Sequence, residues 1–247
     1  MLKEHEDAYG QLIYAFLNNE SEYEIVERDD GFIGATEGSS RYFAEFEEWH
    51  EIEKEAIQYA HGRILDVGCG AGRVGLYLEG KGFDVLGIDN SPMALEVCKE
   101  RGFTNVRLTP ITKISAKLGK FDTIVMYGNN FGLFGNFYRA KYLLKRFHKI
   151  TSPQARIIAQ SNDVYKTNDP VHLTYQEHNR QRGRMSGQIR LRVRFRKYKT
   201  PWFDYLMVSP DEMVDILDST GWYAKKFIHD TEAPIYAAII EKTPVLR

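Results

Sequence analysis

The stretch LDVGCGAGRVG, residues 65–75, places Gly68, Gly70, Gly72 and Gly75 directly after an apolar run. Glycines let a backbone turn tightly between strand and helix, and they remove the Cβ atoms that would hold a ligand away. A helix starting near Gly72 adds free N–H groups and the positive end of its dipole. The chemistry on offer is anion binding, of a pyrophosphate or of a carboxylate. Asp89 ends the next apolar segment roughly 20 residues on, where a carboxylate accepts hydrogen bonds from ribose hydroxyls. Loop and acid together specify an adenosine-bearing ligand without choosing which one.

Two spacings compete for the loop. Gly70, Gly72 and Gly75 make G-x-G-x-x-G, the dinucleotide fingerprint. Gly68, Gly70 and Gly72 make G-x-G-x-G, a spacing associated with S-adenosylmethionine. Asp66 favours the second, because a carboxylate two residues before Gly68 repels pyrophosphate yet suits ammonium and sulfonium charges. The ending favours it too. SPDEMVDILDSTGWYAKKFIHDTEAPIYAAIIEK reads as helix, Gly-Trp, strand, turn, strand, and a terminal hairpin does not belong to the dinucleotide-binding fold.

The elements that position these residues follow from periodicity. A helix is expected over 2–18, a hairpin around Asp30-Gly31, and an amphipathic helix over 41–60, where Tyr42, Phe46, Trp49, Ile52, Ala56 and Tyr59 recur at helical spacing. Strands RILDV, FDVLGI, TNVRLT, FDTIVMY and ARIIAQS then alternate with helices from Gly72, from Ser91-Pro92 and over 136–150. That alternation implies a parallel sheet covered on both faces. Residues 171–208 hold three strand-like segments, VHLTYQ, IRLRVRFRKY and WFDYLMV. A helix from Ser209-Pro210 and the strands WYAKKFIH and IYAAIIEK close the chain.

RILDVGCGAGRVGLYL, VLGIDNSPMALEVCKERG, FDTIVMYGNN and the SPDEM…DSTGW ending occur in an order that resembles the class I S-adenosylmethionine-dependent methyltransferases, over roughly residues 40–242. The resemblance implies a Rossmann-like, doubly wound seven-stranded α/β sheet in the order 3-2-1-4-5-7-6, with strand 7 antiparallel. It implies S-adenosylmethionine as cofactor. Asp66 would hold the methionine amino group, Gly68, Cys69, Gly70 and Gly72 would line its chain, and Asp89 with Asn90 would take the ribose. Tyr127, Gly128 and Asn129 would lie beside the transferring methyl. Many members carry an Asp after strand three, near the adenine; Thr109-Pro110 stand here, so backbone groups of Ile111 and Thr112 are expected to substitute.

The resemblance is nearly silent on the acceptor. GNNFGLFGN, 128–136, puts Asn130 beside the expected cofactor pocket and lacks the N-P-P-Y type sequence of base-amino methyltransferases. In the strand IRLRVRFRK, Arg190, Arg192, Arg194 and Arg196 share one face. That face is either a platform for RNA or another polyanion, or a solvated face neutralised by residues 1–56, which carry 16 acidic and 4 basic side chains. His172, Trp202 and Tyr205 complete the substrate candidates. A small molecule is expected ahead of RNA, and no catalytic base is assigned, since one is needed only where the nucleophile must lose a proton. The alternative is a noncatalytic module that binds the cofactor as a sensor or partner subunit, with an NAD-dependent dehydrogenase third.

Domain organisation is expected as an N-terminal helix and hairpin cap over 1–40 and a methyltransferase domain over 41–247, with a substrate lid inserted at about 163–208. Cys69 and Cys98 are too few for a disulfide framework and lack metal-site spacing. No apolar stretch reaches the roughly 20 residues of a membrane helix, and MLKEHEDAYG does not resemble a secretory signal. A cytoplasmic location is expected.

Overall fold

The computed structural model describes residues 1–20, 23–35 and 39–244, so part of the expected 1–40 cap lies outside the described residues. In chain order the elements begin with α1 (Ala8–Leu17), β1 (Ile25–Arg28), β2 (Ile33–Ala35), α2 (Glu51–Ile57), β3 (Ile64–Val67) and α3 (Arg73–Gly80). Next come β4 (Val85–Asp89), α4 (Pro92–Glu100), β5 (Val106–Leu108), β6 (Phe121–Met126), α5 (Phe137–Lys149) and β7 (Thr151–Asn162). The last are α6 (Pro170–Gln181), β8 (Gln188–Phe195), β9 (Tyr198–Lys199), β10 (Phe203–Leu206), α7 (Pro210–Leu217), β11 (Trp222–His229) and β12 (Ile235–Lys242).

Seven strands pair in the order β5-β4-β3-β6-β7-β12-β11. β4 and β5 are parallel, as are β6 and β7, while β12 runs antiparallel to both β7 and β11. Numbered along the sheet this is 3-2-1-4-5-7-6 with strand 7 reversed, the order that the motifs implied. The strands at its centre read as near-continuous apolar runs because both faces are covered. All four residues of β3 are buried, and so are Ile157, Ile158 and Ala237 to Ile240. A second sheet runs β10-β8-β1-β2, with β9 on β8.

The chain divides into two compact units. The first comprises Met1–Trp49, Leu65–Lys113 and Arg190–Phe203. Its hairpin β1–β2 turns at Gly31, whose φ of 91° is open to glycine. The second comprises His50–Ile64, Ile114–Ile189 and Asp204–Arg247. There α5 buries Ala140, Leu143, Leu144 and Phe147, and the Trp222 indole donates to the Leu144 carbonyl at 2.9 Å.

Three expected elements differ. VHLTYQ lies in helix α6, not in a strand: Asp169 accepts from the Val171 N–H, Pro170 stands at the first helical position, and Tyr175, Gln176 and Asn179 are buried at helical spacing. The helix expected over 41–60 is regular only in α2. Upstream, the Phe46, Trp49 and Tyr77 rings pack together, with Phe46 stacked on Tyr77 at 4.4 Å, and Trp49 is extended at φ −70°, ψ 154°. Ring packing there overrides the helical spacing. The first helix starts only at Ala8, because Asp7 caps it by accepting from the Gly10 N–H.

Candidate cofactor site

In the first unit, β3 delivers Asp66 to the start of the glycine loop with only 3% of its surface exposed. Burial pushes its carboxyl up to about 7; the Arg73 guanidinium opposes that rise and the Asp89 carboxylate adds to it. Gly68, Gly70 and Gly72 all have φ between 54° and 80°, so the turn depends on residues without a Cβ. The Gly68 N–H donates to the Ile88 carbonyl at 2.8 Å and the Gly72 N–H to the Cys69 carbonyl at 2.8 Å. The glycines divide into two kinds. A Cβ at Gly72 or Gly75 would run into the Phe103 ring, at 3.1 and 2.3 Å, whereas one at Gly70 would meet nothing nearer than the Tyr42 ring at 3.8 Å. Gly75 therefore serves helix packing, and Gly70 is the open position of the loop.

Asp89 ends β4 and is half-buried. It accepts from the Gly70 N–H at 3.0 Å and from the Ser91 N–H at 2.9 Å. Burial raises its pKa and these donors oppose the rise. Its carbonyl accepts from the Thr109 N–H at 2.8 Å, which ties the segment leading to Ile111 and Thr112 to the same strand end. Those two residues open a short 3-10 turn closed by the Lys113 N–H on the Pro110 carbonyl at 2.8 Å. Asn90 is exposed, and its carbonyl accepts from the Leu2 N–H at 3.1 Å. Cys69 is buried with its sulfur 4.0 Å from that of Cys98, and this contact and burial push its thiol well above the usual range. It packs the loop and is no nucleophile near neutral pH.

One anchor of this loop was not legible in the sequence. Asp7, 1% exposed, accepts from the Ser91 hydroxyl at 2.9 Å and the Met93 N–H at 3.1 Å while capping α1. It fastens the first helix to the turn that follows Asp89. The only signal was an acid ahead of a helix, and its distant partner could not be read from spacing.

In the second unit, β6 ends at a turn held from two sides. Gly128 and Asn129 have φ of 65° and 63°. The Gln160 amide oxygen on β7 accepts from both N–H groups, at 2.7 and 3.4 Å, and the Tyr205 hydroxyl donates to the Asn129 carbonyl at 2.6 Å. The Tyr205 ring lies where a Cβ on Gly132 would stand, at 2.3 Å. Tyr127 is buried, with its hydroxyl donating to the Glu53 carbonyl at 2.8 Å. Asn129 Oδ1 is buried without a hydrogen-bond partner among the described residues. Asn130 is half-buried in the same turn. Gln160 was missed, for nothing in an apolar strand marks one polar residue as a clamp.

The remaining candidates have other surroundings. Glu27 accepts from both Arg192 and Arg194, Arg196 pairs with Glu20, and Arg192 lies 4.7 Å over the Trp202 ring. The acidic N-terminal segment thus partners this arginine face. His172 sits in the first turn of α6, 41% exposed and 3.9 Å from Asp169.

Comparisons with known proteins bear on the fold and on one matched domain. Residues 64–154 match the family model described as a methyltransferase domain. A solved S-adenosylmethionine-dependent methyltransferase from Bacteroides fragilis, in complex with S-adenosyl-L-homocysteine, is 23% identical and superposes with a TM-score of 0.84 over 99% of this chain and 98% of that one. Another from Clostridium acetobutylicum is 11% identical, with a TM-score of 0.60 over 83% of this chain and 95% of that one. A 2-heptyl-1-hydroxyquinolin-4(1H)-one methyltransferase of Mycobacteroides abscessus is 38% identical over 71 residues, 26% of this chain. The match spans 31% of that relative's length. Residues 64–154 thus match a methyltransferase domain, and the fold is the one shared by solved S-adenosylmethionine-dependent methyltransferases. No helix among the described residues is long and apolar enough to cross a membrane.

Proposed function

We propose that the chain binds S-adenosylmethionine and transfers its methyl group to a small molecule. The observation that carries this reading is Asp66, a buried carboxyl at the head of a loop of three left-handed glycines. A cationic group suits such an acid, and a pyrophosphate is the one it would reject. When bound, S-adenosylmethionine supplies a methyl group already activated on a sulfonium, so the protein's task is alignment, which can provide roughly 7–11 kcal/mol of the barrier.

In this reading Asp66 receives the amino group of the methionine moiety and the open side of Gly70 admits its chain. Asp89, whose oxygens retain lone pairs beside their two N–H donors, accepts from the ribose hydroxyls. Backbone groups of Ile111 and Thr112 meet the adenine. We assign the 1–40 cap and the 163–208 segment to acceptor selection. A small-molecule acceptor is supported by the hydroxyquinolinone methyltransferase among the relatives. The ion pairs of Arg192 and Arg194 with Glu27 make the RNA alternative the weaker one.

The test has two stages. S-adenosylhomocysteine should raise the melting temperature, because a ligand bound only by the folded state stabilises it by mass action; NAD should not. A shift with NAD alone refutes the cofactor. A survey of small-molecule acceptors with labelled methyl donor then separates turnover from a noncatalytic sensor, which would bind and never transfer.

A further inference from the structure

Glu24 lies just before β1 in the first unit and is 2% exposed. Its Oε1 accepts from the Tyr42 hydroxyl at 3.3 Å, while Oε2 is out of water and meets no hydrogen-bond partner among the described residues. Tyr9 completes the cluster. Its ring meets that of Tyr42 edge-on at 6.5 Å, and burial together with the Glu24 charge pushes its phenol up. The cluster borders the glycine loop: the Tyr42 ring is the nearest group to a Cβ built on Gly70, at 3.8 Å. Tyr42 and Phe43 also pack on Ile13, Ala71, Ala94 and Val97, which fixes the ring between loop and helix. One aromatic side chain therefore separates the Glu24 carboxylate from the open side of the proposed cofactor loop.

A carboxylate taken out of water with one oxygen unpaired costs the desolvation of that group. Most buried side-chain polar atoms have a hydrogen-bond partner. This carboxylate keeps an acceptor in reserve, among aromatic rings, beside the loop.

We propose that Glu24 is a recognition residue for a small amine, whose N–H group is received by Oε2 beside the Tyr9 and Tyr42 rings. An ammonium answers both features of the cluster: it neutralises the carboxylate in a charge-assisted hydrogen bond, and aromatic faces attract a cation. An alcohol offers the hydrogen bond without the charge, and a hydrocarbon offers neither. The inference rests on the proposed function and makes an amine-bearing compound the class of acceptor.

The test uses the full chain saturated with S-adenosylhomocysteine and three probes of one ring size: benzylamine, benzyl alcohol and toluene. Calorimetry should rank benzylamine first and toluene last. Glu24→Gln should lose about ten- to a hundredfold in benzylamine affinity, with affinity for S-adenosylhomocysteine unchanged. Its melting temperature should be no lower than wild type, since the amide buries no charge. Equal binding of the three probes overturns the proposal, as does failure of benzylamine to bind the loaded wild type. Undiminished benzylamine affinity in Glu24→Gln overturns it as well. The ranking on wild type stands whether or not the variant folds. Failure of S-adenosylhomocysteine itself to bind would instead remove the cofactor reading on which the inference rests.

Discussion

Asp66 and Asp89 stand at the ends of adjacent strands, yet their chemistry differs. Asp89 has two backbone donors, whereas Asp66 is held near a pKa of 7 by burial, against the pull of Arg73. A carboxyl raised in the folded state keeps a proton that the unfolded chain releases. Its cost to stability is absent below about pH 3.8, grows as pH rises, and is complete above about 7. Asp66→Asn should therefore stabilise the ligand-free protein at pH 8.5 by about 1–4 kcal/mol and very little at pH 4. It should also weaken S-adenosylhomocysteine binding. Thermal melts at the two pH values check the first part; equal effects at both would mean that the site is not acid-linked. Asp89→Ala removes the charged acceptor proposed for the ribose hydroxyls and should cost about 1.5–3 kcal/mol of S-adenosylhomocysteine affinity by calorimetry. The fold should persist, because Asp89 ends its strand.

At the scale of elements, α1 is held by one side chain at its first turn. Asp7 takes three donors, from Gly10, Ser91 and Met93. Asp7→Ala would remove the cap of α1 and leave the Ser91 hydroxyl without its acceptor, a loss of about 2–4 kcal/mol. Urea unfolding should show the midpoint falling with little change in slope, and hydrogen exchange should speed up in α1 before β6 or β7. Uniform exchange across all of them would mean that α1 does not open separately. The turn after β6 is built on the same plan, with Gln160 and Tyr205 gripping opposite sides of a backbone in left-handed conformation.

For the whole molecule, a net charge of −1 conceals an acidic N-terminal stretch and a basic strand. The fold brings them together in the first unit, where β1 pairs with β8 and Glu27 stands opposite Arg192. The Arg194 and Arg192 guanidinium groups hold the Glu27 carboxyl below its usual range. Their stabilisation is therefore present at neutral pH and is lost as pH falls through that lowered value. Changing both Arg192 and Arg194 to Gln leaves a buried acid unpaired and should destabilise by about 1–3 kcal/mol at pH 7, with a smaller effect in acid. Cofactor affinity should barely change. If the strand were an RNA platform, the same change would flatten the salt dependence of RNA binding by about one log–log unit per lost contact.

The glycine loop, Asp66, Asp89 and the terminal hairpin were legible in the sequence because each depends on local geometry: a turn without Cβ atoms, an acid at a strand end, a run of period two. The strand order followed once those motifs were set in sequence. Elements whose conformation depends on distant partners were read less well. VHLTYQ alternates like a strand, but Asp169-Pro170 starts a helix that buries Tyr175 and Asn179. The spacing from Tyr42 to Trp49 is helical, but aromatic packing on Tyr77 draws the chain out. The arginine strand left two readings open in the sequence, and its pairing with Glu27 came only with the fold. Asp7 showed only as an acid ahead of a helix, and Gln160 and Glu24 carried no signal. Sequence spacing records contacts within a turn or a strand; partners 84 residues apart, as Asp7 and Ser91 are, are decided only when the chain has folded.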